Sequence, residues 1–227
     1  MAKTQMRHEL KHMLNYADYL HLRHRLSKLL ARDTHADNEG EYRVRSLYFD
    51  TPLDHALMEK INGVSRREKF RLRLYNSDTS YIRLEKKIRR DGVGTKRTAV
   101  LSVEEVRRLL EGDIAWMCDS GEPLLMEFYS KIQGRQLRPK TVVEYIRESF
   151  TYPAGNVRIT LDRDIRTGLT STDFLNPELP LLNTFEAYAI LEIKYDNFLP
   201  DLVRGAVRVP HRRQTAFSKY AICRKYD

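Results

Sequence analysis

The segment Lys69–Tyr75 places Lys69, Arg71, Arg73 and Tyr75 on one set of alternate positions and Phe70, Leu72 and Leu74 on the other. A period of two belongs to a β-strand, whose successive side chains leave opposite faces of a sheet. The same pattern returns along the chain. Arg83, Glu85, Lys87 and Arg89 oppose Ile82, Leu84 and Ile88. Arg7, Glu9 and Lys11 flank Leu10, and Tyr145 and Arg147 flank Ile146. Arg158, Thr160 and Asp162 oppose Val157, Ile159 and Leu161, while Glu192 and Lys194 oppose Leu191, Ile193 and Tyr195. Any fold of this chain must bury several apolar sheet faces and also accommodate faces crowded with cations.

The remaining elements follow from caps, breakers and periodicity. Strands are expected over residues 7–13, 42–49, 67–75, 81–89, 95–101, 141–150, 157–165 and 188–196. A helix opens at Asn15, with Tyr19, Leu22, Leu26, Leu29 and Leu30 at helical spacing. Thr51-Pro52 reads as a helix start and Gly63 as its stop. Ser102 and Glu105 form a capping box for a helix ending at Gly112. Further helices are expected after Pro123, over residues 200–204 and over residues 215–225. Asn76–Ser80 is a polar turn, Asp91-Gly92 a hairpin turn, and residues 168–182 a long loop. With strands linked mostly by hairpins, the expectation is an α+β fold over residues 1–227 as a single domain: a closed or nearly closed antiparallel barrel of eight strands with helices outside.

Charge then asks which way the polar faces point. The chain holds 40 Lys and Arg against 31 Asp and Glu, a formal charge of +9. Like charges two residues apart on one strand face sit ~7 Å from each other and repel unless an anion compensates them. Solvated faces ordinarily mix signs, whereas here cations dominate. If those faces point inward, the barrel becomes a tunnel lined by cations with a few acids, and the apolar faces pack outward against the helices. A phosphate chain suits such a lining. Arg offers a planar fork to phosphate oxygens, Lys a point charge, and a carboxylate can hold a divalent cation that bridges phosphates.

Other classes fit less well. The longest apolar runs, such as Ala187–Leu191, fall far short of a membrane span. MAKTQMRHELKH lacks the apolar stretch of a signal peptide, and Cys118 and Cys223 cannot make a disulfide framework or a zinc site unaided. A soluble, cytoplasmic setting is the expectation. Gly92-Val-Gly94-Thr-Lys96 lacks the spacing of a phosphate loop and sits in a hairpin. No recognition-helix or RNP pattern accompanies the 13 tyrosines, so nucleic acid is not the expected partner.

The ordered segments ELKH (Glu9–His12), SLYFDT (Ser46–Thr51), FRLRLY (Phe70–Tyr75), LEKK (Leu84–Lys87), EYIRESF (Glu144–Phe150), RITLDRDI (Arg158–Ile165), LEIKY (Leu191–Tyr195) and FSKY (Phe217–Tyr220) resemble the catalytic domain of the vacuolar transporter chaperone (VTC) family, a branch of the triphosphate tunnel metalloenzymes, also called CYTH-like proteins. The resemblance spans nearly the whole chain. It implies an eight-stranded antiparallel tunnel barrel with a C-terminal helix near one mouth. It also implies transfer of the ATP γ-phosphoryl group to inorganic polyphosphate, with Mn²⁺ or Mg²⁺ as cofactor.

Carried over by position, the resemblance makes Lys11, Arg71, Arg73, Lys87, Lys96, Arg147 and Lys219 phosphate contacts, with Lys194 beside them. Tyr145 and Ser218 become neutral donors, and Arg71, Arg73, Arg147 and Glu192 the catalytic set. Glu192 becomes the main metal ligand, aided by Glu9. Lys86 competes with Lys87 for its place, and the alternation favours Lys87. Arg7 stands where the superfamily often has a further glutamate, which argues against the simple triphosphatase and cyclase branches. A metal-dependent triphosphatase and a non-catalytic polyphosphate-binding module remain the alternatives. A membrane partner that exports product is compatible with the sequence, and oligomeric state is unspecified.

Overall fold

The computed structural model describes residues 7–33, 40–91, 93–184, 187–209 and 214–225. Its elements in chain order are β1 (His8–Leu14), α1 (Tyr16–Leu29), β2 (Ala31–Arg32), β3 (Glu41–Asp50), α2 (His55–Ile61), β4 (Arg67–Tyr75), β5 (Asp78–Arg90) and β6 (Val93–Leu101), followed by α3 (Val103–Glu111), α4 (Pro123–Arg135), β7 (Arg138–Tyr152), β8 (Val157–Thr167), β9 (Leu182–Asn183), β10 (Ala189–Tyr195), α5 (Asp201–Ala206) and α6 (Lys219–Cys223).

Eight strands form one path in the order β1-β10-β8-β7-β3-β4-β5-β6. Every pairing in it is antiparallel. The sheet curls until its two edges meet. Arg7, just before β1, and Gly94 in β6 exchange both backbone hydrogen bonds, each 3.4 Å long. That contact covers strand edges that would otherwise be open to pairing with another chain.

The alternation decides the layers. Phe70, Leu72 and Leu74 of β4 and Ile82 and Leu84 of β5 pack outward on Val106 and Leu109 of α3 and Leu124, Leu125 and Phe128 of α4. Across the barrel, Ile159, Leu161, Leu191 and Ile193 pack outward on Tyr19, Leu22 and Leu26 of α1 and on Val203 and Ala206 of α5. Each fully buried aliphatic side chain in these layers contributes roughly 1.5–3 kcal/mol. The opposite parity points into the barrel.

Local signals explain most element ends. Asn15 caps α1 by accepting the Asp18 N–H at 2.8 Å. Ser102 and Glu105 complete the capping box of α3, and Gly112 ends that helix at φ +90°. The β4–β5 turn is tighter than expected: Asn76 and Ser77 alone reverse the chain, both at positive φ, and β5 already begins at Asp78. Gly92 of the expected Asp91-Gly92 turn lies outside the described residues.

Two helix boundaries differ from the sequence expectation. Helix α2 starts at His55, not after Thr51, because the buried Asp50 carboxylate takes the N–H groups of Thr51, Ala56 and Leu57 at 2.8, 2.8 and 3.0 Å. Pro52 therefore sits in a turn before the helix. The last helix is shorter than 215–225. Thr215 N–H bonds the Lys11 carbonyl at 2.9 Å and residues 214–218 form no helix, so α6 opens only after its Ser218 cap.

Candidate functional site

The inward parity of β4 and β5 builds the first half of the site. Arg71 and Arg73 are each only 5% exposed, and Glu85 is fully buried. Arg71 donates from Nε and Nη2 to Glu85 Oε2 at 2.8 and 2.5 Å, and from Nη1 to the Tyr48 hydroxyl at 2.9 Å. Arg73 donates to Ser46 Oγ and to the Tyr145 hydroxyl, both at 3.1 Å. Lys96 of β6 reaches Glu85 Oε1 at 3.0 Å.

β7, β8, β10 and β1 build the second half. Arg147 binds Asp162 through two parallel hydrogen bonds of 2.6 and 2.8 Å, the strong fork geometry. Lys219 of α6 reaches the same carboxylate at 2.6 Å. Glu192 lies 3.1 Å from Lys11, 3.2 Å from Lys194 and 3.5 Å from Arg147. Glu9 sits 3.6 Å from Lys11 and 3.8 Å from Lys194, so it shares both lysines with Glu192. Tyr145 joins the halves. Its hydroxyl takes Arg73, and its ring is flanked by Arg147 at 5.2 Å and Lys219 at 4.6 Å.

Burial and pairing fix the charges. Burial pushes the Glu85 carboxyl up, but Arg71, Arg73 and Lys96 outweigh it and hold the group below the usual carboxylate range. Asp162 behaves alike: Arg147 and Lys219 overcome burial and bring it down to about 2. Burial pulls the Lys11 ammonium down, yet Glu192 and Glu9 hold it above its ordinary value. For Lys194 burial outweighs Glu192 and Glu9 and leaves the ammonium below its ordinary value, and Lys87 goes further. Burial, then Arg71 and Lys194, drive it well below the ordinary lysine value, and Glu9 and Glu192 offset this only in part. Among the described residues Lys87 makes no ion pair, although the sequence set it beside Glu85 on one face; Glu85 turns to Arg71 and Lys96 instead.

One end of the barrel carries more cations. Lys69, whose ammonium lies 5.0 Å from the Tyr220 ring centroid and 3.5 Å from Ser218 Oγ, is brought down to about 7 by burial and by neighbours led by Arg67. Lys60 at the same end is lowered by burial, Arg67, Lys11 and Arg89.

The structure thus gathers Lys11, Arg71, Arg73, Lys87, Lys96, Tyr145, Arg147, Glu192, Lys194, Lys219 and Glu9 around one interior. Ser218 lies beside them as the cap of α6, accepting the Ala221 N–H. Lys86 faces outward, paired with Glu68 and Glu127 over the Phe70 ring, while Lys87 faces the interior, the two sides that the alternation assigns them. Sequence reasoning gave no role to Glu85 or Asp162, the two carboxylates that hold the arginines, nor to Ser46 and Tyr48. Their signal was present: each shares the parity of an inward arginine across the ladder. The interior is also less polar than expected. Val44, Val143, Ile165 and Ile190 form an apolar floor there, on which Tyr220 and Cys223 of α6 dock.

Among the described residues no cluster of three or more His, Cys, Asp or Glu side chains is arranged to hold a metal ion. Two adjoining carboxylates, Glu9 and Glu192, are nevertheless a suitable donor pair, because Mg²⁺ and similar cations take one or two carboxylates and complete their shell with substrate phosphates and water. No helix of the described residues is long and apolar enough to cross a membrane.

The VTC domain profile matches residues 6–226. Among proteins of curated function none matches the sequence. The fold is similar to that of a Hippeastrum putative adenylyl cyclase described as having a dominant triphosphatase activity, with TM-score 0.56 and 14% identity over 98% of this chain and 96% of that one. It is also similar to a putative adenylate cyclase of Bacillus halodurans, with TM-score 0.50 and 14% identity over 89% and 86% of the two chains.

Proposed function

The chain belongs to the VTC domain family, and from that premise we propose that it is an ATP-dependent polyphosphate polymerase. The observation that carries this reading is the buried set Arg71, Arg73 and Arg147 grouped about Tyr145, with Lys11 and Lys194 alongside. Cations this deep suit a ligand that brings about one negative charge per unit and can be threaded between strands. The carboxylates keep the arginines extended and oriented before phosphate arrives, so little reorganisation is left for the reacting complex.

The ATP triphosphate lies along the inward faces of β4 and β7. Arg71, Arg73 and Arg147 stabilise charge on the transferring γ-phosphoryl group. Lys87, which makes no ion pair among the described residues, takes a phosphate oxygen at no cost of breaking one. Glu192 and Glu9 would hold a divalent cation, which would supply charge neutralisation to the phosphates. An oxygen of the terminal phosphate of the growing chain attacks the γ-phosphorus as the bond to the β-phosphate breaks and ADP leaves; that acceptor is already anionic, so no strong general base is needed. Lys219 and Ser218 of α6, with Lys69, stand at the end where the chain of phosphates passes out.

A triphosphatase would use the same residues with water as acceptor, and the activity ascribed to the Hippeastrum protein favours keeping that second reading. Incubation with ATP and Mn²⁺ separates the two. Polymer retained on a gel supports the polymerase, and orthophosphate alone supports the hydrolase. A binder would shift its melting temperature with polyphosphate and leave ATP intact. Arg71→Ala and Glu192→Ala should each abolish product; synthesis retained in both would defeat the assignment.

A further inference from the structure

Arg83 is an inward cation to which this scheme gives no role, and its nearest neighbours are aromatic rings. Arg83 of β5 stands directly across the ladder from Arg73. Like charges opposed in this way are destabilising in an antiparallel pair. Arg73 has Ser46, Tyr145 and, at 3.7 Å, Glu85 to hold it. Among the described residues Arg83 pairs with no carboxylate, and its buried Nε has no hydrogen-bond partner. Its guanidinium carbon lies 4.4 Å from the Tyr81 ring centroid and 5.3 Å from that of Tyr75. Tyr42 fixes the Tyr75 ring edge-on, with centroids 5.7 Å apart. Tyr81 is 44% exposed at the beginning of β5, so much of its ring remains open to solvent.

We propose that Arg83, Tyr81 and Tyr75 form a nucleoside-recognition subsite at the end of the barrel where β4 turns into β5. The open part of the Tyr81 ring receives a nucleobase, and Arg83 N–H groups meet acceptor atoms on the base or sugar. This rests on the reading above that a nucleoside triphosphate lies in the barrel, and it adds the means by which the protein distinguishes that donor from bare phosphate chains. Every base has a π face, and aromatic or guanidinium stacking captures it without demanding one particular base. Inorganic triphosphate has no ring and gains nothing from Tyr81. The arrangement also orders the substrate: the base at the Tyr81 end sets the phosphates along Arg73 and then Arg71, toward Lys69 and Lys219.

The test is calorimetric titration of the full chain with ATP and with inorganic triphosphate, each with Mg²⁺, comparing wild type with Tyr81→Ala, Arg83→Gln and Tyr81→Phe. Tyr81→Ala and Arg83→Gln should each weaken ATP binding about tenfold while changing triphosphate binding by about twofold or less. Tyr81→Phe keeps the ring and should retain ATP affinity. Equal losses for both ligands would make Arg83 a plain phosphate contact and overturn the proposal, as would unchanged ATP binding in both variants. Should wild type bind neither ligand, the failure lies with the phosphate-handling reading itself. Both substitutions fall on partly exposed side chains, and either one alone suffices if the other does not fold.

Discussion

Glu85 Oε2 accepts two hydrogen bonds from Arg71 across the β4–β5 ladder, at 2.8 and 2.5 Å, with the carboxylate wholly shut off from solvent. A charge pair this deep is held together as a unit, and removal of one member strands the other. The interior of this barrel is built from such units, and their chemistry sets how it responds to substitution, to pH and to phosphate.

Glu85→Gln should cost about 3 kcal/mol of stability, because Arg71 then stays buried without its counter-charge. Inorganic triphosphate should restore the loss, since an anion replaces the missing carboxylate. Melting temperatures with and without triphosphate check this. A variant that melts like wild type, or gains no more from triphosphate than wild type does, contradicts the pairing.

Lys87→Met should act in the opposite sense. An ammonium without an ion pair among the described residues is removed, and stability should rise by about 1 kcal/mol. Phosphate affinity should fall at the same time. Chemical denaturation and triphosphate titration read the two effects. Loss of stability on substitution would show that Lys87 is held by contacts that the geometry does not reveal.

Acid should weaken the fold through Asp162. Its folded pKa, about 2, lies below the ordinary 3.8, so the stabilisation is complete above the unfolded value and is lost as pH falls toward the folded one. The window is about pH 4 to about pH 2. Asp162→Asn should flatten melting temperature against pH in that interval. A variant curve as steep as wild type would place the acid sensitivity elsewhere.

Phosphate binding should take up protons. Lys69 is largely neutral in the free protein above about pH 7, and a nearby anion raises its pKa toward the ordinary 10.5. Between those values binding draws a proton from buffer. Calorimetry at pH 8.5 in buffers of different ionisation enthalpy measures the uptake, and Lys69→Met should reduce it. Equal heats in all buffers would remove Lys69 from the phosphate path.

The strand set was legible because alternation is a local property. Lys69–Tyr75 and Tyr81–Arg89 declare their two faces without any partner, and parity alone separated Lys87, inward, from Lys86, which turns outward to Glu68 and Glu127. Asn15 and Ser102 were equally readable, since a cap needs only its own next turn. The start of α2 was not, because Asp50, the residue that determines it, is also fixed by Tyr220 at 2.8 Å from the far end of the chain. Parity also failed past Asp164. That residue takes φ +52° near a register shift between β7 and β8, and Ile165 joins the interior cluster.

Which side chains share a strand face, and that cations crowd one of them, could be read residue by residue, because the period of an extended backbone requires no distant information. That this face is the concave one, that Arg7 meets Gly94 to join the edges, and that Asp162 receives both Arg147 and Lys219 emerged with the folded barrel. Those outcomes depend on sheet curvature and on register between segments far apart in the chain, and a charged group commits to a partner only after such long-range packing has removed water from around it.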